Sequence, residues 1–178
     1  MDPDHAVSER SAAAALPLIA WSRIWSPVVP SELRGEAWRA LDLPDSFEHY
    51  SEEFWTTFQI GAPSPKVPLL LHAALGREGG AVREDWMRVA AHLELRWDGV
   101  HLPPDQLGAA CELYACAIAR EEPVLIEELR RRYLLPWCAL ARTRLAGGDE
   151  GSSPLGFLPE RFEADLLALR TAGSPAAG

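Results

Sequence analysis

The chain has 178 residues, of which 48% are hydrophobic and 24% are charged, as in an ordinary globular domain with a core of its own. Its formal net charge is −9, from 26 acidic and 17 basic residues. That charge disfavours nucleic acid and anionic membranes as partners and would attract a basic peptide, although acidity also serves solubility alone. Cys111, Cys116 and Cys138 show neither metal-ligand spacing nor a disulfide framework, as expected in a reducing cytosol.

Nothing in the sequence predicts secretion or a membrane anchor. The first residues carry acids at Asp2 and Asp4 where a signal peptide is basic, and no apolar run is long enough to span a membrane. We therefore expect a cytoplasmic protein that does not insert into membranes. A single domain over residues 1–178 is predicted, with flexible tails at 1–8 and 172–178.

Two helices are predicted at the start of the chain. The first is capped by Ser8 or Ser11, contains an alanine-rich stretch of high helix propensity, and bends or restarts near Pro17. Its apolar face continues to Trp25. After a proline-rich stop, Ser31 is predicted to cap a short second helix.

A third helix is predicted from Asp45, because Glu48 follows three residues later in the arrangement of a capping box. Its buried stripe consists of aromatic residues at helical spacing: Phe47, Tyr50, Phe54 and Phe58. Its outer side is acidic, without lysine or arginine: Asp42, Asp45, Glu48, Glu52 and Glu53. Asp45, Glu48 and Glu52 share one face, which fits either a solvated surface or a landing site for the basic residues of a peptide.

The middle of the chain alternates loops and helices. Residues 61–65 form a proline-stiffened loop, and 67–75 form a short apolar helix that is central to the core or lines a groove. Apolar residues recur at helical spacing from Val82 to Trp97, which predicts a helix of about four turns ending near Asp98.

Residues 102–137 are predicted to form a helical hairpin. Pro104 suits the first turn of the first helix, and the second helix carries the pairs Glu127–Arg131 and Glu128–Arg132 and ends at Pro136. Residues 138–145 continue as a short helix after that break.

A loop at 147–153 and a last helix complete the chain. The last helix carries an apolar stripe of Leu155, Leu158, Phe162, Leu166 and Leu169. No alternating strand pattern is present. The predicted fold is an all-α, irregular bundle of about eight to ten helices.

The motifs of common enzymes are missing from the sequence. It contains no phosphate-binding P-loop, no His-Glu-x-x-His, no repeated Glu-x-x-His and no Gly-x-Ser-x-Gly elbow. We therefore expect no catalytic residues, no metal site and no cofactor.

Several local patterns resemble the TorD/DmsD/NarJ family. They are Pro-Pro-Asp-Gln-Leu at 103–107, the following Glu-Leu, Leu-Leu-Pro-Trp at 134–137, and Phe-Trp-Thr-Thr-Phe at 54–58 followed by Val-Pro-Leu at 67–69. The resemblance covers roughly residues 47–140. The family usually has histidine where this chain has Gln106, and often Glu-Ser where this chain has Leu71-His72.

The resemblance implies a cytoplasmic, all-helical chaperone. Such chaperones mature molybdenum enzymes, here of the dimethyl sulfoxide reductase superfamily, and often bind the twin-arginine signal peptide of the client. The implied partners are the apo catalytic subunit and its basic leader peptide, bound by a monomer or dimer. The candidate peptide-binding residues are Glu48, Glu52, Phe54, Trp55, Phe58, Pro68, Leu71, His72, Pro104, Asp105 and Gln106.

For Asp105, a role as a helix N-terminal cap is an equal alternative to peptide binding. Two other function classes also fit the sequence. One is a helical metal- or cofactor-dependent enzyme or carrier, and the other is a helical interaction module without peptide specificity.

Overall fold

A computed structural model describes residues 3–61, 63–98, 101–120, 122–147 and 152–169, with side chains from residue 12 onward. Within these residues the chain forms nine α-helices and two π-helical turns, and no strand. The helices are α1 (Pro3–Trp25), α2 (Ser31–Ala40), α3 (Phe47–Phe54), α4 (Leu71–Ala74), α5 (Gly79–His92), α6 (Leu107–Ala119), α7 (Pro123–Leu129), α8 (Leu135–Ala146) and α9 (Phe157–Ala168). The first π turn is Trp55–Gln59 and the second is Arg130–Leu134.

The predicted all-α fold class is confirmed. The only pairing of extended backbone in the described part is an isolated bridge between Leu70 and Gln106. None of the described helices combines the length and hydropathy needed to cross a bilayer. The predicted tail at 172–178 lies outside the described residues.

Helix α1 is the longest element, and it packs along α6. The two helices approach closely at Gly108, where a Cβ atom would lie 2.8 Å from the carbonyl oxygen of Ser22 and 2.9 Å from the amide nitrogen of Ser26. Only glycine fits this contact without a shift of the backbone. The sequence placed the helix start at Ser8 or Ser11, whereas the helix begins at Pro3 and is continuous through Pro17.

The core is organised around the indole of Trp25. Its ring lies 5.2 to 6.2 Å, between ring centroids, from five other aromatic rings, which are Trp21, Phe54, Phe58, Trp137 and Phe162. These rings come from α1, α3, the first π turn, α8 and α9, so one aromatic cluster joins both ends of the described chain. The predicted stripe of the last helix is confirmed, with Leu158, Phe162 and Leu166 fully buried.

The C-terminal carbonyls of α1 are capped by side chains from elsewhere. The guanidinium of Arg34 donates to the carbonyls of Ile24 and Ser26 at 3.2 and 2.6 Å. The Gln106 amide donates to the Trp25 carbonyl at 2.8 Å. Burial lowers the pKa of Arg34, which has no carboxylate partner in the described residues, but the negative end of the α1 dipole stabilises its charge.

Two predicted helix caps are wrong. Ser31 is the first residue of α2, follows Pro30 and forms no capping hydrogen bond. At α3 the cap is Ser46, whose hydroxyl accepts from the His49 amide, while Asp45 takes a left-handed conformation with φ of 55°. A capping residue needs an extended backbone, and Ser46 has one, so the predicted box of Asp45 with Glu48 does not form.

Residues 67–75 are not one helix. Only α4 is helical, and the preceding residues are extended because their backbone bonds to a distant part of the chain. The Leu107 amide donates to the Leu69 carbonyl at 2.8 Å, and the Leu71 amide donates to the Asp105 carbonyl at 2.9 Å. A continuous apolar run is compatible with either conformation, and these long-range bonds decide for the extended one.

The helix limits of the second half also differ from prediction. Helix α5 ends at His92, well before Asp98, and Glu94 follows with a left-handed φ of 53°. Pro136 does not break the chain into two helices, because it stands in the first turn of α8, directly after the second π turn, where its missing N–H is tolerated.

The predicted four-residue ion pairs do not form. Arg130 pairs with Glu127 and Arg131 pairs with Glu128, both at three-residue spacing. Arg132 instead reaches Asp85 of α5, at 2.8 Å. All three arginines lie in the second π turn, where the α-helical repeat on which the four-residue pairs were predicted is not kept.

Gly108→Ala should lower the free energy of unfolding by about 1–3 kcal/mol, because the added methyl group meets backbone atoms of α1 that have no room to move. Urea denaturation would measure the change. Gly147→Ala is the matched control, since no atom lies within 4 Å of its added Cβ and its φ of 178° suits any residue. Equal effects of the two substitutions would contradict the close contact of α1 with α6.

Candidate functional site

Three residues along one side of α3 and the first π turn form an exposed surface next to α2. Glu48 and Glu52, one helical turn apart, are called the acidic stripe below, and Trp55 continues their line. Helix α2 approaches this line at Gly35, where a Cβ would lie 3.2 Å from a carboxylate oxygen of Glu48. We call the region lined by the acidic stripe, Trp55 and Gly35 the α2–α3 surface.

The carboxylates of the acidic stripe form no ion pair with a basic side chain of the described residues. None of the ion pairs found among the described residues involves Glu48 or Glu52. Hydrogen bonds from its own backbone and from Ser46 lower the pKa of Glu48, and the charge of Arg39 adds to this shift. Both side chains are exposed, so they present negative charge to a partner.

The other acids near α3 are used within the chain. Asp45 accepts from the Tyr50 hydroxyl at 2.9 Å. Glu53 accepts from the Thr57 and Ser153 hydroxyls at 3.3 and 3.1 Å. Of the face predicted for Asp45, Glu48 and Glu52, two exposed carboxylates therefore remain that form no ion pair among the described residues, those of Glu48 and Glu52. Ser46 hydrogen-bonds to Glu48 but carries no charge.

Trp55 is the one aromatic side chain of α3 and the first π turn that faces this surface. It is half-buried, and the Arg34 guanidinium lies 5.0 Å from the centre of its ring. Arg34 also lies over Phe47 and Phe54, at 5.1 and 5.6 Å from their ring centres. The cation supports the inner face of the indole from below and leaves the outer part of the ring available.

The other apolar residues predicted to contact a peptide lie in the interior. Phe54, Phe58 and Leu71 are at most 1% exposed, and Pro68 is also buried. The carbonyl of Pro68 accepts a hydrogen bond from the Trp137 indole at 2.9 Å. These residues hold the segment carrying Trp55 and the extended residues 67–70 in place, and they do not join the α2–α3 surface.

Asp105 is completely buried and accepts hydrogen bonds from His72 and Arg83. One carboxylate oxygen accepts from His72, both from ring Nδ1 and from the backbone amide at 3.3 Å. The other accepts from Arg83 Nε at 3.2 Å. The His72 and Arg83 side chains are 20% and 45% exposed, so this cluster joins α4, α5 and the start of α6 and reaches the surface only through these two side chains.

Asp105 is not the helix cap that the sequence offered as its alternative role. Gln106 caps α6: its side-chain oxygen accepts from the amides of Gly108 and Ala109, at 2.7 and 3.2 Å. Pro104 is buried beside it. Gln106 is 4% exposed, with its oxygen on α6 and its nitrogen on α1, so no part of its amide is left for peptide carbonyls in this conformation.

Sequence reasoning missed Arg83 as a partner of Asp105 and did not pair Asp105 with His72. His72 and Asp105 are 33 residues apart and Arg83 is 22 residues from Asp105, so no local spacing connects them. Gln106 as a cap had no local signal either, since the residues that usually cap helices are Ser, Thr, Asp and Asn.

No other group of chemical interest stands out in the described residues. They contain no cluster of three or more His, Cys, Asp or Glu side chains that could hold a metal ion. Cys111, Cys116 and Cys138 are free, and burial raises the pKa of each thiol, which disfavours the reactive thiolate. Comparison of the chain with family models, curated proteins and solved structures finds no match.

Proposed function

We propose that the protein is a cytoplasmic chaperone that binds the basic leader peptide and the apo catalytic subunit of a molybdopterin oxidoreductase. In this role it would aid cofactor insertion and delay export. The client class, the dimethyl sulfoxide reductase superfamily, follows from the sequence resemblance to TorD-like chaperones. One observation carries the binding role: Glu48 and Glu52 present two exposed carboxylates beside the half-buried indole of Trp55, and neither forms an ion pair among the described residues.

The α2–α3 surface matches the chemistry of a twin-arginine leader. Glu48 and Glu52 lie about 6 Å apart along the helix axis, which suits two neighbouring guanidinium groups. The indole of Trp55 offers a face to an arginine or to apolar side chains that follow the arginines. Arginine binds a carboxylate through two parallel hydrogen bonds, and lysine does not, so replacing both peptide arginines with lysine should weaken binding.

Binding of a synthetic twin-arginine peptide, measured by calorimetry, tests the proposal. The double variant Glu48→Gln/Glu52→Gln should bind about fivefold to thirtyfold more weakly, since each exposed contact contributes about 0.5–1 kcal/mol. Affinity of the wild type should also fall with rising salt, because charges are screened beyond about 8 Å at physiological ionic strength.

The control variant is Glu84→Gln/Glu94→Gln, which removes the same charge from exposed positions on α5 and just after it. It should bind like the wild type. Loss of affinity in both double variants would indicate a net-charge effect instead of a site. Absence of any binding to the wild type would contradict leader recognition.

Arg39→Gln should strengthen binding by about twofold to threefold. Arg39 is the base whose charge acts on Glu48, and it competes there with the arginines of a peptide. Its removal makes the α2–α3 surface more negative, and a single exposed charge contributes about 0.5 kcal/mol. Arg88→Gln, an exposed arginine of α5 paired with Glu84 at 2.5 Å, is the control and should leave affinity unchanged.

A further inference from the structure

We infer that a bound leader lies along the α2–α3 surface in one direction, with its arginines at Glu48 and Glu52 and its apolar segment against Trp55, Ile60 and Val28. This inference rests on the proposed function and adds to it an apolar contact region and a direction for the bound peptide. Neither Val28 nor Ile60 was among the predicted site residues.

Two exposed apolar side chains stand at the Trp55 end of the surface. Val28, in the turn between α1 and α2, and Ile60, just after the first π turn, are each 66% exposed. The Ile60 amide donates to the Trp55 carbonyl at 2.8 Å, so Ile60 lies one π turn beyond Trp55. We call Val28, Trp55 and Ile60 the apolar end.

A hydrogen bond joins the two segments that carry these side chains. The side-chain amide of Gln59 donates from Nε2 to the carbonyl of Trp25, the last residue of α1, at 3.4 Å. Ile60 follows Gln59 directly, and Val28 follows Trp25 by three residues. Val28 and Ile60 are therefore held at the same end of α3, where a single extended segment can contact both.

The opposite end of the surface is acidic. Asp42 and Asp45, both exposed, lie in the connection from α2 to α3, where each takes a left-handed backbone with φ of 51° and 55°. Glu48 and Glu52 follow on α3. Negative charge thus lies toward the start of α3 and apolar surface lies beyond its end, so the two kinds of contact are separated along one axis.

This separation selects a partner with the same order of features. Glu48 and Ile60 are twelve positions apart, or roughly 18 Å along a helix axis. An extended peptide covers that distance with about five or six residues. The partner that fits is a peptide whose apolar segment begins within about six residues after a pair of arginines.

The apolar end is tested by measuring the affinity of protein variants for two peptides, one with the apolar segment and one without it. Val28→Ser/Ile60→Ser should weaken binding of the leader peptide by about threefold to tenfold, and it should not affect a peptide whose apolar segment is replaced by serine. Leu16→Ser/Val124→Ser is the matched control, since these side chains are 65% and 76% exposed elsewhere. This control should bind both the leader peptide and the serine-substituted peptide like the wild type. Circular dichroism should show that both double variants are folded.

Photo-crosslinking tests the direction in which the peptide lies on the α2–α3 surface. A benzophenone placed just before the arginines should label residues 41–48, and one placed in the apolar segment should label 27–30 or 55–60. Labelling in the reverse order, or a Val28/Ile60 effect no larger than that of the control, overturns the inference. In either case, binding that still depends on salt and on the acidic stripe leaves the proposed function standing. A peptide that does not bind the wild type overturns both.

Discussion

Trp25→Ala is expected to lower the free energy of unfolding by about 4 kcal/mol, a large part of the roughly 5–15 kcal/mol that stabilises a typical domain. The indole of Trp25 is fully buried and contacts five aromatic rings from four other elements and from α1 itself. Replacing it with a methyl group opens a cavity between helices from both ends of the chain, and the surrounding rings cannot all move in to fill it. Urea denaturation followed by circular dichroism would measure the loss.

Trp25→Phe separates ring packing from the rest of the side chain. The indole Nε1 of Trp25 is buried and has no hydrogen-bond partner among the described residues, so phenylalanine removes a buried donor without breaking a bond. The loss should stay below about 1.5 kcal/mol, because a ring is kept in the cluster. A loss as large as that of alanine would mean that the Nε1–H has a partner, such as a buried water molecule.

Helical stripes were predictable because they depend on spacing within one element. The stripe of α9 and the aromatic line Phe47, Phe54 and Phe58 are buried as predicted. What failed depends on distant partners. The first part of the apolar run, residues 67–70, is extended because the backbone there bonds to residues after the double proline, and no local pattern contains that information. The observed cap of α3, Ser46, stands one residue after the predicted cap, Asp45, and helix ends commonly differ by one or two residues between assignments.

The candidate site was partly predictable for the same reason. Glu48 and Glu52 lie on one face because they are four residues apart, and Trp55 follows them at helical spacing, one step off the buried line of Phe54 and Phe58. The sequence does not reveal which apolar faces are covered by other helices. Buried residues such as Phe58 and Leu71 were therefore included among the candidate peptide-binding residues. Val28 and Ile60 were missed because their exposure is a property of the folded chain.

Asp105→Asn is expected to lower the free energy of unfolding by about 2–3 kcal/mol and to leave the affinity for a leader peptide unchanged. The carboxylate is fully buried and accepts hydrogen bonds from His72 and Arg83. Asparagine has the same shape, but it is neutral and brings an NH₂ group into a site of donors. Breaking a buried ion pair such as that of Asp105 with Arg83 costs up to about 5 kcal/mol, and the partial exposure of His72 and Arg83, which water can reach, keeps the loss below that limit.

Glu84→Gln is the matched control for Asp105→Asn. It makes the same acid-to-amide change in an exposed pair on α5, with Arg88 as the partner, and should cost less than about 1 kcal/mol. Thermal and urea denaturation of both variants would measure the difference, and peptide calorimetry on the folded fraction would measure affinity. If Asp105→Asn were as stable as the wild type and bound the peptide weakly, the carboxylate would act on the ligand. The cluster with His72 and Arg83 would then have to open when the peptide binds, because Asp105 is fully buried behind these two side chains.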